Sequence, residues 1–311
     1  MNILRYTAAY KSEWNLFVKS SKNGHFFFDR DYMDYHSDRF KDHSLLIYSP
    51  SGKLLALLPA NEHEKYIYTH QGLTFGGFIV DDKIKTAEML DVFHAVRVFL
   101  KTAGFERLIY KCIPYIYYIK PSEEDRYALF INGATLIRRD VTSTVDLATP
   151  PKYSKGRKWS INKAKKEGVL VYESNNYAAF WELLEGVLHE NHSAKPVHSV
   201  DEIALLASRF PENIRLFLAR KEETILSGAL MYENQYIVHT QYMANSAEGR
   251  EIGALDLVID HLLTGYYKGK RYFDFGISCE QNGRYLNVGL ISQKEGFGAR
   301  PIVHDFYELK L

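Results

Sequence analysis

With 311 residues the chain has room for about two domains, and at 46% hydrophobic and 25% charged it can bury an ordinary globular core. A formal net charge of +1 excludes a strong overall field toward nucleic acid or an anionic membrane. Two cysteines, Cys112 and Cys279, exclude a disulfide framework and a zinc set, and no window approaches the ~18 consecutive apolar residues of a membrane helix. The opening "MNILRYTAAYKSEW" carries no apolar signal core, so a cytoplasmic protein in a reducing compartment is expected. The 23 Tyr and 18 Phe suit stacking on sugars or rings, but aromatic residues also simply fill cores.

Taken in chain order, residues 44–72 ("SLLIYSPSGKLLALLPANEHEKYIYTHQG") read as a three-strand meander, with polar turns at Ser51-Gly52 and Asn61-Glu62. Met89, Val92, Phe93, Val96 and Leu100 then fall at helical spacing, Gly104 marks the stop, and "RLIYKCI" (107–113) is a further strand. "DLATPPKYSKG" follows, where Pro150-Pro151 breaks both helix and strand. Between Lys152 and Lys166 come seven Lys or Arg without an acid, read either as a solvated helix anchored by Trp159 or as an anion-binding face.

Residues 215–243 ("RLFLARKEETILSGALMYENQYIVHTQYM") repeat the meander rhythm, with turns at Glu222-Glu223 and Glu233-Asn234. Leu255, Val258, Ile259, Leu262 and Leu263 make the following helix face, Gly269 its stop, and "RYFDFGI" (271–277) the next strand. The chain thus holds two copies of β-β-β-α-β. The stretch 274–300, "DFGISCEQNGRYLNVGLISQKEGFGAR", has five glycines and almost no regular periodicity, and reads as an irregular polar segment leaving a strand end.

This doubled arrangement resembles the GNAT acyltransferase fold. In tandem it resembles the Fem-type peptidyltransferases and their polysaccharide-linked acetyltransferase-like relatives. The resemblance is carried by "RKWSINKAKKEGV" (157–169), "KPVHSVDEI" (195–203), "QYMANSAEGREIGALD" (241–256) and the stretch from "YFDFGIS" to "KEGFGAR", and with the duplication it covers nearly the whole chain. It implies an α/β (α+β) fold of two tandem GNAT-like lobes, each a mixed, mostly antiparallel sheet flanked by helices. The lobes are expected at 1–149, lacking a pyrophosphate loop, and 150–311, with the acyl-donor site.

The implied activity is transfer of an acyl group from acyl-CoA, acetyl-CoA above all, to an amine or hydroxyl of a sugar or cell-envelope precursor, with no metal. The alternatives are a Fem-type aminoacyltransferase taking its donor from aminoacyl-tRNA, and a non-catalytic binding protein with a decayed site. "NSAEGREIGALD" places Gly249, Arg250, Ile252, Gly253 and Ala254 at a helix N-terminus, where N–H groups and the dipole suit a pyrophosphate. Glu251 sits beside them. The matching segment of the first copy, "TFGGFIVDDKIKT", has Asp81 and Asp82, which repel phosphate.

In a GNAT-like fold the strand carrying the acyl group splays from the next, and the acceptor attacks in the gap. The carrying strand is "YIVHTQYM", whose alternation sets His239 and Gln241 on one face and Thr240 and Tyr242 on the other. In the next strand Asp274, Gly276 and Ser278 share a face. Acyl transfer needs a base, an oxyanion donor and an acid. His239 or Glu280 is the candidate base, Tyr242 the acid and Ser278 the oxyanion donor. His198, Gln241, Asp274, Asn287, Lys294, Glu295 and Arg300 are the candidate substrate contacts, all converging on one cleft. Against these stand plainer readings: His198 as a helix cap and Lys294–Glu295 as a surface pair. Other chemistries match poorly. Glu280 stands where a nucleophile elbow needs a second glycine, and His189 and His192 are three apart where the zinc helix motif spaces them four apart.

Overall fold

The computed structural model describes residues 1–192 and 195–311; the side chains of residues 190–192, and with them His192 of the His189–His192 pair, lie outside that description. The chain divides into two compact units. Among the described residues no helix is long and apolar enough to cross a membrane, and no group of three His, Cys, Asp or Glu side chains is placed to hold a metal ion.

Unit one comprises residues 1–140, 281–285 and 303–311. Its strands are β1 (Asn2–Arg5), β2 (Lys41–Asp42), β3 (Leu45–Tyr48), β4 (Leu54–Leu58), β5 (Asn61–His63), β6 (Tyr66–Tyr68), β7 (Ile79–Val80) and β8 (Arg107–Lys111). Its helices are α1 (Lys11–Ser20), α2 (Arg30–Met33), α3 (Thr86–Thr102) and α4 (Glu124–Ile131). The helix face read from the sequence is the buried face of α3: Met89, Val92, Phe93, Val96 and Leu100 join Leu45, Ile47, Phe78 and Tyr110 in one core. The meander differs from its expectation. Asn61-Glu62 is strand rather than turn, and β6 pairs with β5 and, in parallel, with β8, while β3 and β4 pair with β1 and β7. Pro59 cannot donate to a ladder, and the run changes sheet there. Asp81 Oδ1 accepts from the N–H groups of Lys83 and Ile84, so the turn before α3 is closed by the chain's own carboxylate.

Unit two comprises residues 141–280 and 286–302. A twelve-residue strand, β9 (Thr135–Asp146), starts in unit one and runs on into unit two. The boundary therefore falls at Asp140/Val141, and Pro150-Pro151 lies inside unit two, ahead of α5 (Lys155–Lys166). Then come β10 (Leu170–Ser174), α6 (Tyr177–His192), α7 (Val200–Arg209), β11 (Ile214–Lys221), β12 (Thr224–Glu233), β13 (Ile237–Asn245), α8 (Ala247–Ile252), α9 (Ala254–His261) and β14 (Tyr272–Ile277). The chain ends with β15 (Cys279–Glu280), β16 (Tyr285–Leu286), α10 (Val288–Glu295) and β17 (Arg300–Lys310). The last part of β17, Phe306–Lys310, pairs with β8 of unit one.

In unit two β11 to β13 form the expected antiparallel meander, β10 adds a further antiparallel strand beside β11, and β14 joins β13 in parallel. β12 is buried almost throughout because helices cover both its faces. Ala229 and Met231 join the core under α9, while Gly228, the residue before Ala229, lies against Phe180 of α6. The predicted apolar face, Leu255, Val258, Ile259, Leu262 and Leu263, is buried as expected. The stretch 274–300 is more regular than its composition suggested. Asn287 caps α10 by accepting from the N–H of Leu290, and Ile291 and Lys294 turn inward.

Gly253 stands at φ +84 between α8 and α9, and a Cβ there would lie 2.5 Å from the carbonyl oxygen of Ser160 on α5. The left-handed backbone and that contact require glycine. Gly253→Ala is therefore expected to lower the unfolding free energy by about 2–4 kcal/mol, the sum of left-handed strain and overpacking. Urea denaturation checks this. A change below about 0.5 kcal/mol would mean that α5 does not close on this turn.

Candidate active site

The parallel ladder between β13 and β14 covers only Ile237–Tyr272, Val238–Phe273 and His239–Asp274. Beyond that pair the strands part, and each carries an irregularity at that point. In β13 the register against β12 shifts between Leu230, opposite Tyr242, and Met231, opposite Thr240, so Gln241 is the extra residue. In β14 the register against β9 shifts between Asp274, opposite Thr144, and Ile277, opposite Thr142. Gly276 lies within that shift at φ +76. The bulge breaks the alternation read from "YIVHTQYM". Paired residues share a face, so Tyr242, opposite Leu230, stands on the face of His239, opposite Tyr232, and Thr240 stands on the other.

His239 Nδ1 lies 2.8 Å from Asp274 Oδ2. Asp274 is fully buried, and its other oxygen accepts from the hydroxyls of Thr142 and Thr144, the latter at 3.0 Å. A Cβ on Gly276 would lie 3.1 Å from His239 Cε1, so glycine here gives the imidazole its room. On the same face Tyr242 Oη lies 2.7 Å from His198 Nδ1, and Trp181 Nε1 donates to the His198 carbonyl. Burial raises the Tyr242 phenol above its usual range, so it remains a protonated donor. His198 is no helix cap: Ser199 caps α7, with Glu202 completing a capping box.

On the opposite face the parting strands open a narrow cleft lined by Met243 of β13, Leu255, Asp256 and Ile259 of α9, Phe275 of β14, and Leu290, Gln293, Lys294 and Phe297. Asp256 is neutralised by Arg157 at 2.5 Å. Lys294 is 4% exposed. Its ammonium donates to the carbonyls of Gly276 (2.9 Å) and Ile277 (2.8 Å) and to Ser278 Oγ (2.9 Å), using all three of its donors. Glu295 is exposed, so the two are no surface pair. Desolvation lowers the Lys294 ammonium to about 8, against the pull of Asp274 and Cys279.

The remaining candidates lie apart from this cluster in their bonding. Glu280 is exposed and accepts from Asn287 Nδ2 at 2.9 Å. Arg300 is exposed and donates to the Ala299 carbonyl, and Gln241 is half-buried at the bulge. In the glycine loop, Gly249 would place a Cβ 2.6 Å from the Leu226 carbonyl, and Ile252 and Ala254 are buried. Arg250 is turned to the Asn245 carbonyl. Both glycines thus meet the chain's own backbone. Thr142 and Thr144 were not among the sequence candidates, since nothing in "RRDVTSTVD" shows which strand β9 will join.

Lys294 sets a pH signature. Its proton is held less tightly folded than unfolded, so folding is opposed below pH 8, and that cost disappears as pH rises toward the ordinary lysine value near 10.5. Lys111 of unit one is lowered to about 8 by the same cause. Unfolding free energy should rise between pH 8 and 10, and Lys294→Met should remove part of the rise while the part due to Lys111 persists. Urea titrations at pH 8, 9 and 10 check it; an identical slope in the variant would mean Lys294 titrates normally.

No family model and no curated protein matches the chain. Among solved structures it is similar to FemX, at 13% identity and a TM-score of 0.69 over 98% of this chain and 97% of that one. It is similar to the C-terminal domain of a putative lysylphosphatidylglycerol synthetase from Agrobacterium fabrum, at 12% identity and 0.65 over 97% and 92%. A tandem GNAT protein from the clavulanic acid biosynthesis pathway gives 12% identity and 0.53 over 99% and 98%. Likeness at such identity speaks to architecture, and the architecture is the tandem GNAT fold of FemAB-like proteins.

Proposed function

We propose that the chain is an acyl-group transferase whose reaction takes place where β13 and β14 separate. The observation that carries this reading is the end of the ladder at His239–Asp274, with an apolar cleft on one face of the gap and a carboxylate-held imidazole on the other. The donor's acyl carbonyl enters at the gap, at the level of His239. An amine or hydroxyl acceptor then adds to that carbonyl carbon and gives its proton to the imidazole. The bond to the leaving group breaks, and the leaving group takes a proton from the imidazolium or from Tyr242. The Lys294 charge favours the negative oxygen of the intermediate without touching it.

Of the two donors, an aminoacyl ester is the better supported. α5 packs across the start of α9, and Gly249 and Gly253 lie against the chain's own carbonyls, where acyl-CoA needs a bare loop for its pyrophosphate. Exposed Lys152, Lys155, Lys158 and Lys166, with Trp159 64% exposed among them, suit the phosphates and bases of a tRNA. Similarity to a lysylphosphatidylglycerol synthetase, whose name states an aminoacyl product, points the same way. The acceptor class proposed is an amine or hydroxyl of a sugar or cell-envelope precursor.

The test is donor binding and turnover with charged tRNA and, separately, with acetyl-CoA. Charged tRNA should bind with steep salt dependence, and His239→Ala should leave binding near normal while cutting transfer by ~100-fold or more. Acetyl-CoA binding at Gly249–Ala254 would restore the CoA reading. Failure of both donors to bind would leave a binding protein with a decayed site.

A further inference from the structure

The pair His239–Asp274 is completed by a third strand. β9 presents Thr142 and Thr144 on one face, two residues apart, and both hydroxyls donate to Asp274 Oδ1. Asp274 Oδ2 is left for His239 Nδ1. All four groups lie within unit two, and both threonines are buried.

We infer that Thr142 and Thr144 are positioning residues that fix the tautomer of His239, holding its proton on Nδ1. This rests on the proposed transfer site but concerns residues that never touch substrate. An ionised carboxylate only accepts hydrogen bonds. Two donated hydroxyl protons favour the ionised form of Asp274, and with it the placement of the proton between Oδ2 and Nδ1 on the imidazole. A buried carboxyl stripped of two donors holds a proton of its own more readily. Asp274 would then donate to Nδ1, the imidazole proton would move to Nε2, and the base would be lost with every heavy atom still in place. Single replacement should matter less than double, because the one remaining hydroxyl still favours the ionised carboxylate in part.

Valine is nearly isosteric with threonine and suits a strand, so Thr142→Val/Thr144→Val keeps the shape of the site. The primary measurement is the ¹⁵N resonance pattern of the His239 ring in wild type and in this double variant at one pH. The wild type should carry its neutral-ring proton on Nδ1 and the double variant on Nε2, while Thr142→Ser/Thr144→Ser should behave as wild type. This readout needs no substrate, so it stands even if no donor is ever found. Where transfer is measurable, kcat should fall by ~100-fold or more in the double valine variant with KM little changed, and the serine pair should restore it. An unchanged tautomer in a folded double valine variant would overturn the inference, as would a wild-type proton on Nε2. If the double variant fails to fold, the two single valine variants serve, each expected to show a mixture of tautomers; a purely wild-type pattern in both would overturn it equally.

Discussion

Two parallel strands that bond over three residue pairs and then part are the constraint from which the rest of unit two follows. A gap inside a sheet exposes backbone N–H and C=O groups that must find partners elsewhere. The structure answers with side chains. Lys294 takes the carbonyls of Gly276 and Ile277, and α10 is held at the angle that delivers it. The bulges on both strands absorb the misfit, one at Gln241 and one about Gly276. An ammonium in such a place costs desolvation, so it is tolerated only with all three protons engaged.

Polar and apolar chemistry are sorted to the two faces of the opening. The α9 side is lined by Met243, Leu255, Ile259 and Phe275, with its carboxylate already matched to Arg157. The α6 side carries His239, Asp274, Tyr242 and His198, each hydrogen-bonded. The sheet thus keeps the apolar side chains of the α9 face apart from the hydrogen-bonded polar groups of the α6 face. Gly276 serves both, since its carbonyl binds Lys294 and its bare α carbon clears His239.

Much of the fold was legible in the sequence because it depends on local periodicity. The α3 face was read residue by residue, and so was the buried face from Leu255 to Leu263, since both are amphipathic stripes that any helix former shows. His239 and Asp274 were legible as members of neighbouring strands. What escaped is what depends on register. One inserted residue at Gln241 returned Tyr242 to the side of His239, and no propensity marks a bulge of that kind. Thr142 and Thr144 were invisible because their importance comes from a partner far along the chain. The glycines at 249 and 253 were read as room for a ligand, whereas their neighbours prove to be carbonyls of Leu226 and Ser160. A glycine in a sequence says that something comes close, and only the fold says what.

The route of the last strand bears on how the protein is made. Residues 303–311 belong to unit one, where Phe306–Lys310 flank β8. During synthesis β8 has its parallel neighbour β6 early, but its other edge stays open until β17, which follows the other strands of unit two, has left the ribosome. Unit two can assemble around its own strands while that edge waits. The first unit to be translated is therefore the last to be finished, and an unpaired strand edge is exposed for that interval. A chain shortened before Val303 would never close it, so loss of solubility on C-terminal trimming would arise in the N-terminal half.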